Sequence, residues 1–175
     1  AGKFSIDPTP NSLRLLIKEI GDFFALEANR KNLDFPINVS ADIPDSLLFD
    51  ETRLRQILIN ILGNAFKYTL AGSVEVNVTE VAQDTGSPLL EFSVSDTGIG
   101  IPEEMQGLIF DSFVQGDPGR TKRFAGTGLG LAIVRRLVKL MDGEVFFSSE
   151  EGRGSVFSCR IPLLISEEGL PDKAI

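Results

Sequence analysis

A chain of 175 residues with a formal net charge of −8 and 42% hydrophobic content has the size and composition of one soluble globular domain. The negative charge argues against non-specific binding to nucleic acid, whose backbone attracts a basic surface, and no apolar run approaches the roughly 18 residues of a membrane span. With no histidine, the commonest general base and metal ligand is missing, and the single cysteine excludes an internal disulfide.

Thr9-Pro10 reads as a helix start, with Thr as cap and Pro in the first turn. Leu13, Leu16, Ile17, Ile20, Phe23 and Phe24 then recur at helical spacing. Residues 35–39 and 46–49 read as short strands around a turn at Pro44. The clearest helix covers 51–68, with Leu54, Ile57, Leu58, Ile61, Leu62, Ala65 and Phe66 in one apolar stripe. Val74, Val76 and Val78 alternate with polar residues, as do Leu90, Phe92 and Val94. The turn-rich AQDTGSP between them predicts an antiparallel hairpin.

A short helical piece is expected over 103–110, followed by QGDPGRTKRFAGTG, which has loop composition. A helix over 128–141 follows, with Leu129, Ala132, Ile133, Leu137, Leu140 and Met141 inward. Two final strands, 144–149 and 155–161, meet at the turn 150–154, and Cys159 alternates with Phe157 and Ile161 as a small buried strand residue. Residues after Pro162 read as a linker. The hairpins imply an antiparallel or mixed sheet covered by helices on one face, an α+β two-layer sandwich.

The helix over 51–68 has a second face. Asn60, Asn64 and Lys67 fall at i, i+4 and i+7 and make one polar stripe. Such a stripe is ordinarily a solvated face. Asparagine, however, is a poor helix former, because its amide competes with the backbone. A carboxamide oxygen ligates a hard divalent cation without adding charge, and Lys67 beside it could meet a phosphate.

Asp96 continues the inward phase of its strand. Its carboxylate either caps the turn as an Asx hydrogen-bond acceptor or accepts from an amino group such as that of adenine. In the second case Gly98 and Gly100 let the backbone pass close to a planar ring. GTGLGL, residues 126–131, opens a helix where free N–H groups and the helix dipole favour an anion. Its spacing differs from a dinucleotide fingerprint and no strand directly precedes it. Arg120, Lys122 and Arg123 lie just before it, as solvated loop charges or as contacts to a terminal phosphate.

These segments, in this order, resemble the ATP-binding catalytic domain of sensor histidine kinases, within the superfamily of gyrase, mismatch-repair ATPases and large heat-shock chaperones. LRQILINILGNAFKYT resembles the asparagine box, DTGIGI the first glycine box, IFDSFVQ the phenylalanine box and GTGLGLAIV the second glycine box. The resemblance implies the Bergerat α/β sandwich, a mixed sheet of about five strands under about three helices with a flexible ATP lid. It implies a catalytic domain over 1–165, a lid at about 114–125 and a tail or linker over 166–175.

The resemblance also implies ATP and Mg²⁺ as cofactors. Asn64 would hold the metal and Asn60 assist near metal and phosphates, while Lys67 and Tyr68 would approach phosphate and ribose. Asp96 would accept from adenine, with Gly98, Gly100 and Ile101 along the base. Phe110 and Phe113 would anchor the lid, and Arg120, Lys122 or Arg123 would reach the γ-phosphate. Gly126, Thr127, Gly128, Leu129 and Gly130 would cradle phosphates.

The family's phospho-accepting histidine lies on a separate dimerising segment, and this sequence has no histidine. The expectation is a domain that binds ATP but does not phosphorylate itself. It would be monomeric alone and cytoplasmic, not embedded in a membrane. Its partners would be a dimerisation and phosphoacceptor domain and, indirectly, a response regulator receiver, with no nucleic acid. Hydrolytic members of the superfamily carry a glutamate four residues before the metal-binding asparagine. Here Asn60 stands there, and an amide is no general base. The resemblance therefore favours phosphoryl transfer over hydrolysis or a binding module without transfer.

Overall fold

The structure is a computed structural model and describes residues 5–111 and 130–170. Its centre is a five-stranded mixed sheet, β2 (Ile37–Val39), β4 (Val74–Val81), β5 (Leu89–Asp96), β7 (Gly154–Pro162) and β6 (Glu144–Glu150), in that spatial order. β2 runs parallel to β4, and every other neighbouring pair is antiparallel. Val76 faces Val94 across β4–β5, and Val94 faces Phe157 across β5–β7, so the apolar phase is continuous over the sheet. Three long helices, α1 (Leu13–Lys31), α2 (Glu51–Tyr68) and α4 (Gly130–Leu140), cover that face. α3 (Glu103–Gln106) is a single turn.

The core lies between the layers. Val74, Val78, Phe92, Val94 and Cys159 are buried against the α2 stripe of Leu54, Ile57, Leu58, Ile61, Leu62 and Ala65. At roughly 25 cal/mol per Å², burial of these side chains is the dominant favourable term. On the opposite face Arg160 is ion-paired to Glu91 and lies 4.6 Å over the ring of Phe146. Polar residues there leave the sheet one-sided, as antiparallel sheets allow. Among the described residues no helix is long and apolar enough to cross a membrane.

α2 begins and ends where its pattern predicts. Asp50 caps it, accepting the Arg53 N–H at 3.0 Å and, on its other oxygen, the Asp7 N–H at 2.9 Å. The first helix starts later than predicted. Thr9 and Pro10 belong to β1 (Thr9–Ser12), which pairs antiparallel with β3 (Ser46–Phe49) in a second, two-stranded sheet. The true cap is Ser12, whose hydroxyl accepts the Leu15 N–H at 3.1 Å and donates to Asp45 at 2.8 Å. The expected strands 35–39 and 46–49 consequently lie in different sheets.

Two further expectations change. In α4 the buried residues are Val134, Leu137 and Val138, while Leu140 is 42% exposed. The expected Leu137 is fully buried and Ile133 and Met141 pack against the core, but the inward face widens to Val134 and Val138 because the helix closes on β6 and β7 as well as on α2. The segment after Pro162 does not leave the domain at once. Leu163 is buried, Ile165 bridges Leu47, and the Ser166 N–H donates to Ser46 O at 3.1 Å, so the segment adds an edge to β3.

Candidate functional site

The C-terminus of α2, the end of β5 and the β6–β7 turn converge on the loop after Asp96. The Ile99 N–H donates to Tyr68 O at 3.2 Å, and the Thr97 N–H donates to Ser73 O at 3.1 Å. On the far side the Gly152 N–H donates to Ile99 O at 2.7 Å, and the Ile101 N–H donates to Ser149 Oγ at 2.8 Å. Gln106 Nε2 donates to Ile101 O at 2.9 Å. The loop is therefore anchored on three sides, as a binding surface on a rigid scaffold must be.

Asp96 is buried, 8% exposed. Its Oδ1 accepts the Gly98 N–H at 2.9 Å, so the turn is capped in the Asx manner. That bond occupies only part of one carboxylate's acceptor capacity. Burial pushes the carboxyl above its ordinary value, and hydrogen bonds from the Gly98 and Ser155 backbone, with the dipole of the nearby Thr69 hydroxyl, pull it back down. A buried carboxyl whose acceptor capacity is only partly used by backbone donors is suited to bind a further donor.

Gly98 has no room for a side chain. A Cβ there would come 2.5 Å from Tyr68 O, 2.8 Å from Asp96 Oδ1 and 2.9 Å from Thr69 Oγ1. Those three oxygens thus crowd one point. Thr69 is fully buried, and its hydroxyl has no hydrogen-bond partner of good geometry among the described residues, although its dipole favours the Asp96 carboxylate. A buried hydroxyl without a partner costs about 1–3 kcal/mol, and it marks a place where a ligand or water completes the bonding. Sequence reasoning missed Thr69, since a threonine after a helix reads as an ordinary terminator; only the burial of its hydroxyl identifies it.

Gly100 serves a different neighbour. It has φ +66°, and a Cβ there would collide with the Glu150 carbonyl in the β6–β7 turn. The glycine is explained by that backbone contact alone. Ile101 is partly buried and packs against the core.

On α2, Asn60 and Asn64 are half-buried, and neither carboxamide has a hydrogen-bond partner among the described residues. α4 begins beside them, since a Cβ on Gly130 would lie 3.8 Å from the Asn60 carboxamide. The structure thus brings the asparagine stripe to the start of the glycine-led helix. Lys67 is exposed, with its ammonium 5.3 Å from the Tyr68 ring centroid. Burial raises the Tyr68 phenol above its ordinary value. Phe110 packs edge-on against Phe147 and Phe157 at centroid distances of 5.8 and 6.4 Å. Phe113, Arg120, Lys122, Arg123, Gly126, Thr127, Gly128 and Leu129 lie outside the described residues. Among the described residues no group of three or more His, Cys, Asp or Glu is placed to hold a metal.

Residues 49–165 match the family described as histidine kinase-, DNA gyrase B-, and HSP90-like ATPase. The chain is 38% identical over 163 residues to the signal transduction histidine-protein kinase BarA of Escherichia coli K12, covering 93% of this chain and 18% of BarA. It is 39% identical over 168 residues to the sensory/regulatory protein RpfC of Xanthomonas campestris pv. campestris, covering 95% of this chain and 23% of RpfC. The chain therefore spans only about a fifth of these relatives. Full-length ShkA solved in complex with AMPPNP superposes with a TM-score of 0.80 at 36% identity, over 95% of this chain and 33% of that one. On the family match, which covers most of its length, the chain belongs to the histidine kinase-, DNA gyrase B- and HSP90-like ATPase family.

Proposed function

We propose that this domain binds Mg-ATP and donates its γ-phosphoryl group to a histidine on a separate dimerisation and phosphoacceptor domain, as the catalytic module of a sensor histidine kinase. The observation that carries the reading is the buried Asp96 carboxylate beside the fully buried hydroxyl of Thr69, which has no hydrogen bond of good geometry among the described residues. Together they offer an acceptor and a hydroxyl to the amino and ring nitrogens of adenine. Guanine presents a carbonyl where adenine has its amino group, which would set one oxygen against the carboxylate.

The carboxamides of Asn60 and Asn64, without hydrogen-bond partners among the described residues, fit a hard cation, with Asn64 as ligand and Asn60 beside it. Bound Mg²⁺ would supply charge neutralisation at the phosphates. Lys67 and Tyr68 would approach phosphate and ribose, Phe113 would anchor a lid over about 114–125, and Gly126, Thr127, Gly128, Leu129 and Gly130 would cradle phosphates. Arg120, Lys122 or Arg123 would meet the γ-phosphate. Phosphoryl transfer asks chiefly for positioning and charge neutralisation, which these groups supply. The amide of Asn60 stands where hydrolysis would require a base, which favours transfer. The catalytic unit is assigned to 1–165, and 166–175 would form the tail. A cytoplasmic location and, as an indirect partner, a response regulator receiver domain complete the proposal.

The test is to mix the domain with γ-labelled ATP, Mg²⁺ and the phosphoacceptor segment of the full-length protein. Label on the acceptor histidine is the expected result. Nucleotide binding without transfer at high protein concentration would make it a binding module, and steady release of phosphate by the domain alone would make it a hydrolase.

A further inference from the structure

On the outer side of α2, bordered by Lys67, the C-terminal halves of α1 and α2 leave a groove of about 480 Å³ on the surface. Its walls carry Phe23 and Leu26, which are 65% and 78% exposed, one helical turn apart. Phe23 is no loose side chain. It stands edge-on to Phe24 at 5.0 Å, and Phe24 stacks on buried Phe66 at 5.2 Å, so the wall is braced by the core.

Gly63 lies in the same groove, in the interior of α2. A Cβ at that position would meet nothing within 4 Å, and its φ is not positive. Neither packing nor backbone conformation accounts for glycine there, yet glycine is a much poorer helix former than alanine. What its missing side chain provides is a notch open to the outside.

The rim is basic although the chain carries −8. Arg30, Lys31 and Lys67 line the groove with one carboxylate, Glu27. Arg30 meets Glu27 at 2.7 Å and Lys31 meets the same carboxylate at 3.7 Å, so both cations share one anion. Lys31 also donates to Phe66 O, which fixes it along the groove.

We propose that this groove docks an amphipathic helix of a partner protein, with an apolar side chain seated at Gly63 and carboxylates flanking it against Arg30 and Lys31. A helix is chosen because the groove is walled by helices and presents no free backbone edge for a strand to join. The carboxylates are chosen by the excess of positive charge at the rim. A second copy of this chain is disfavoured by mutual repulsion of two acidic molecules. The proposal goes beyond the nucleotide reading and does not rest on it.

The test is an amide-shift titration with a synthetic helical peptide carrying a leucine stripe flanked by glutamates, and with its counterpart carrying lysines. The acidic peptide should move the Gly63 and Leu26 resonances saturably, and the basic one should bind at least about tenfold more weakly. Leu26→Ser and Gly63→Gln should each weaken the acidic peptide by about tenfold or more. Gly63→Ala should fold with an equal or higher melting temperature, and Leu26→Ser should keep its ATP affinity. Failure to bind, equal binding of both peptides or shifts centred elsewhere would overturn the proposal. A concentration-dependent dimer abolished by Gly63→Gln would assign the face to self-association instead, and preference for anionic lipid vesicles would assign it to a membrane surface.

Discussion

The hydroxyl of Thr69 and the carboxylate of Asp96 crowd the point where Gly98 has no side chain, and the hydroxyl has no good partner there. Thr69→Val removes an unsatisfied polar atom from a fully buried position. The free domain should be as stable as the parent or about 1 kcal/mol more stable, while ATP affinity should fall about tenfold through loss of one bond to the base. Chemical denaturation and calorimetry on the same protein read the two effects separately. Loss of stability with unchanged affinity would remove Thr69 from the site.

Asp96 links pH to both binding and stability. Burial, the largest influence, raises its folded-state pKa above the ordinary value. A raised carboxyl contributes stability that is fully present below the unfolded pKa and is lost as pH rises through the folded pKa. Asp96→Asn keeps an oxygen for the Gly98 N–H and cannot titrate. Relative to this variant, the parent should lose melting temperature between acid and neutral pH. ATP affinity runs the other way, since only the ionised carboxylate accepts on both oxygens. It should fall as the parent is acidified through the raised pKa, and at neutral pH Asp96→Asn should bind about ten- to a hundredfold more weakly, the worth of a hydrogen bond to a charged group.

Asn64→Ala should weaken ATP binding by about tenfold with Mg²⁺ present and much less with the metal chelated. The comparison of the two titrations is the measurement. Equal losses in both would make Asn64 a direct nucleotide contact or a structural residue.

Gly100→Ala forces a side chain into the left-handed region at φ +66° and against the Glu150 carbonyl. The left-handed cost of about 1–2 kcal/mol adds to a backbone collision, so the loss should exceed about 2 kcal/mol. Because Gly100 docks the loop on the β6–β7 turn, denaturation midpoints should shift far more than for Gly63→Ala.

Cys159 is fully buried, and burial pushes its thiol up to about 12. A thiol reagent at mildly alkaline pH should leave it untouched in the native protein and modify it fully in denaturant. Its slow native-state labelling should track global unfolding. Rapid native labelling would show that the β5–β7 ladder opens locally.

The elements legible in the sequence are those whose burial is simple. α2 lies centrally over the sheet between α1 and α4, and its continuous apolar stripe predicts its limits at Glu51 and Tyr68. α4 meets two strands and a helix, and its inward face widens to Val134 and Val138, which the stripe omitted. β1 was hidden because Thr9-Pro10 has the chemistry of a helix cap, whereas its strand pairing depends on β3, dozens of residues away. In the site, Asn60, Asn64 and Asp96 were visible as polar residues in apolar patterns. Thr69 and the two separate duties of Gly98 and Gly100 were not, because burial and collision are properties of the folded chain.

Tyr68, Thr69, Asp96, Gly98 and Ser155 come from distant parts of the chain and meet only when α2, β5 and β7 are all in place. No local fragment carries the pocket, so folding and nucleotide binding form one equilibrium. A nucleotide present at about a hundred times its dissociation constant would hold the native state by about 2.7 kcal/mol. The concentration of ligand would then set how long the domain survives as well as whether it acts.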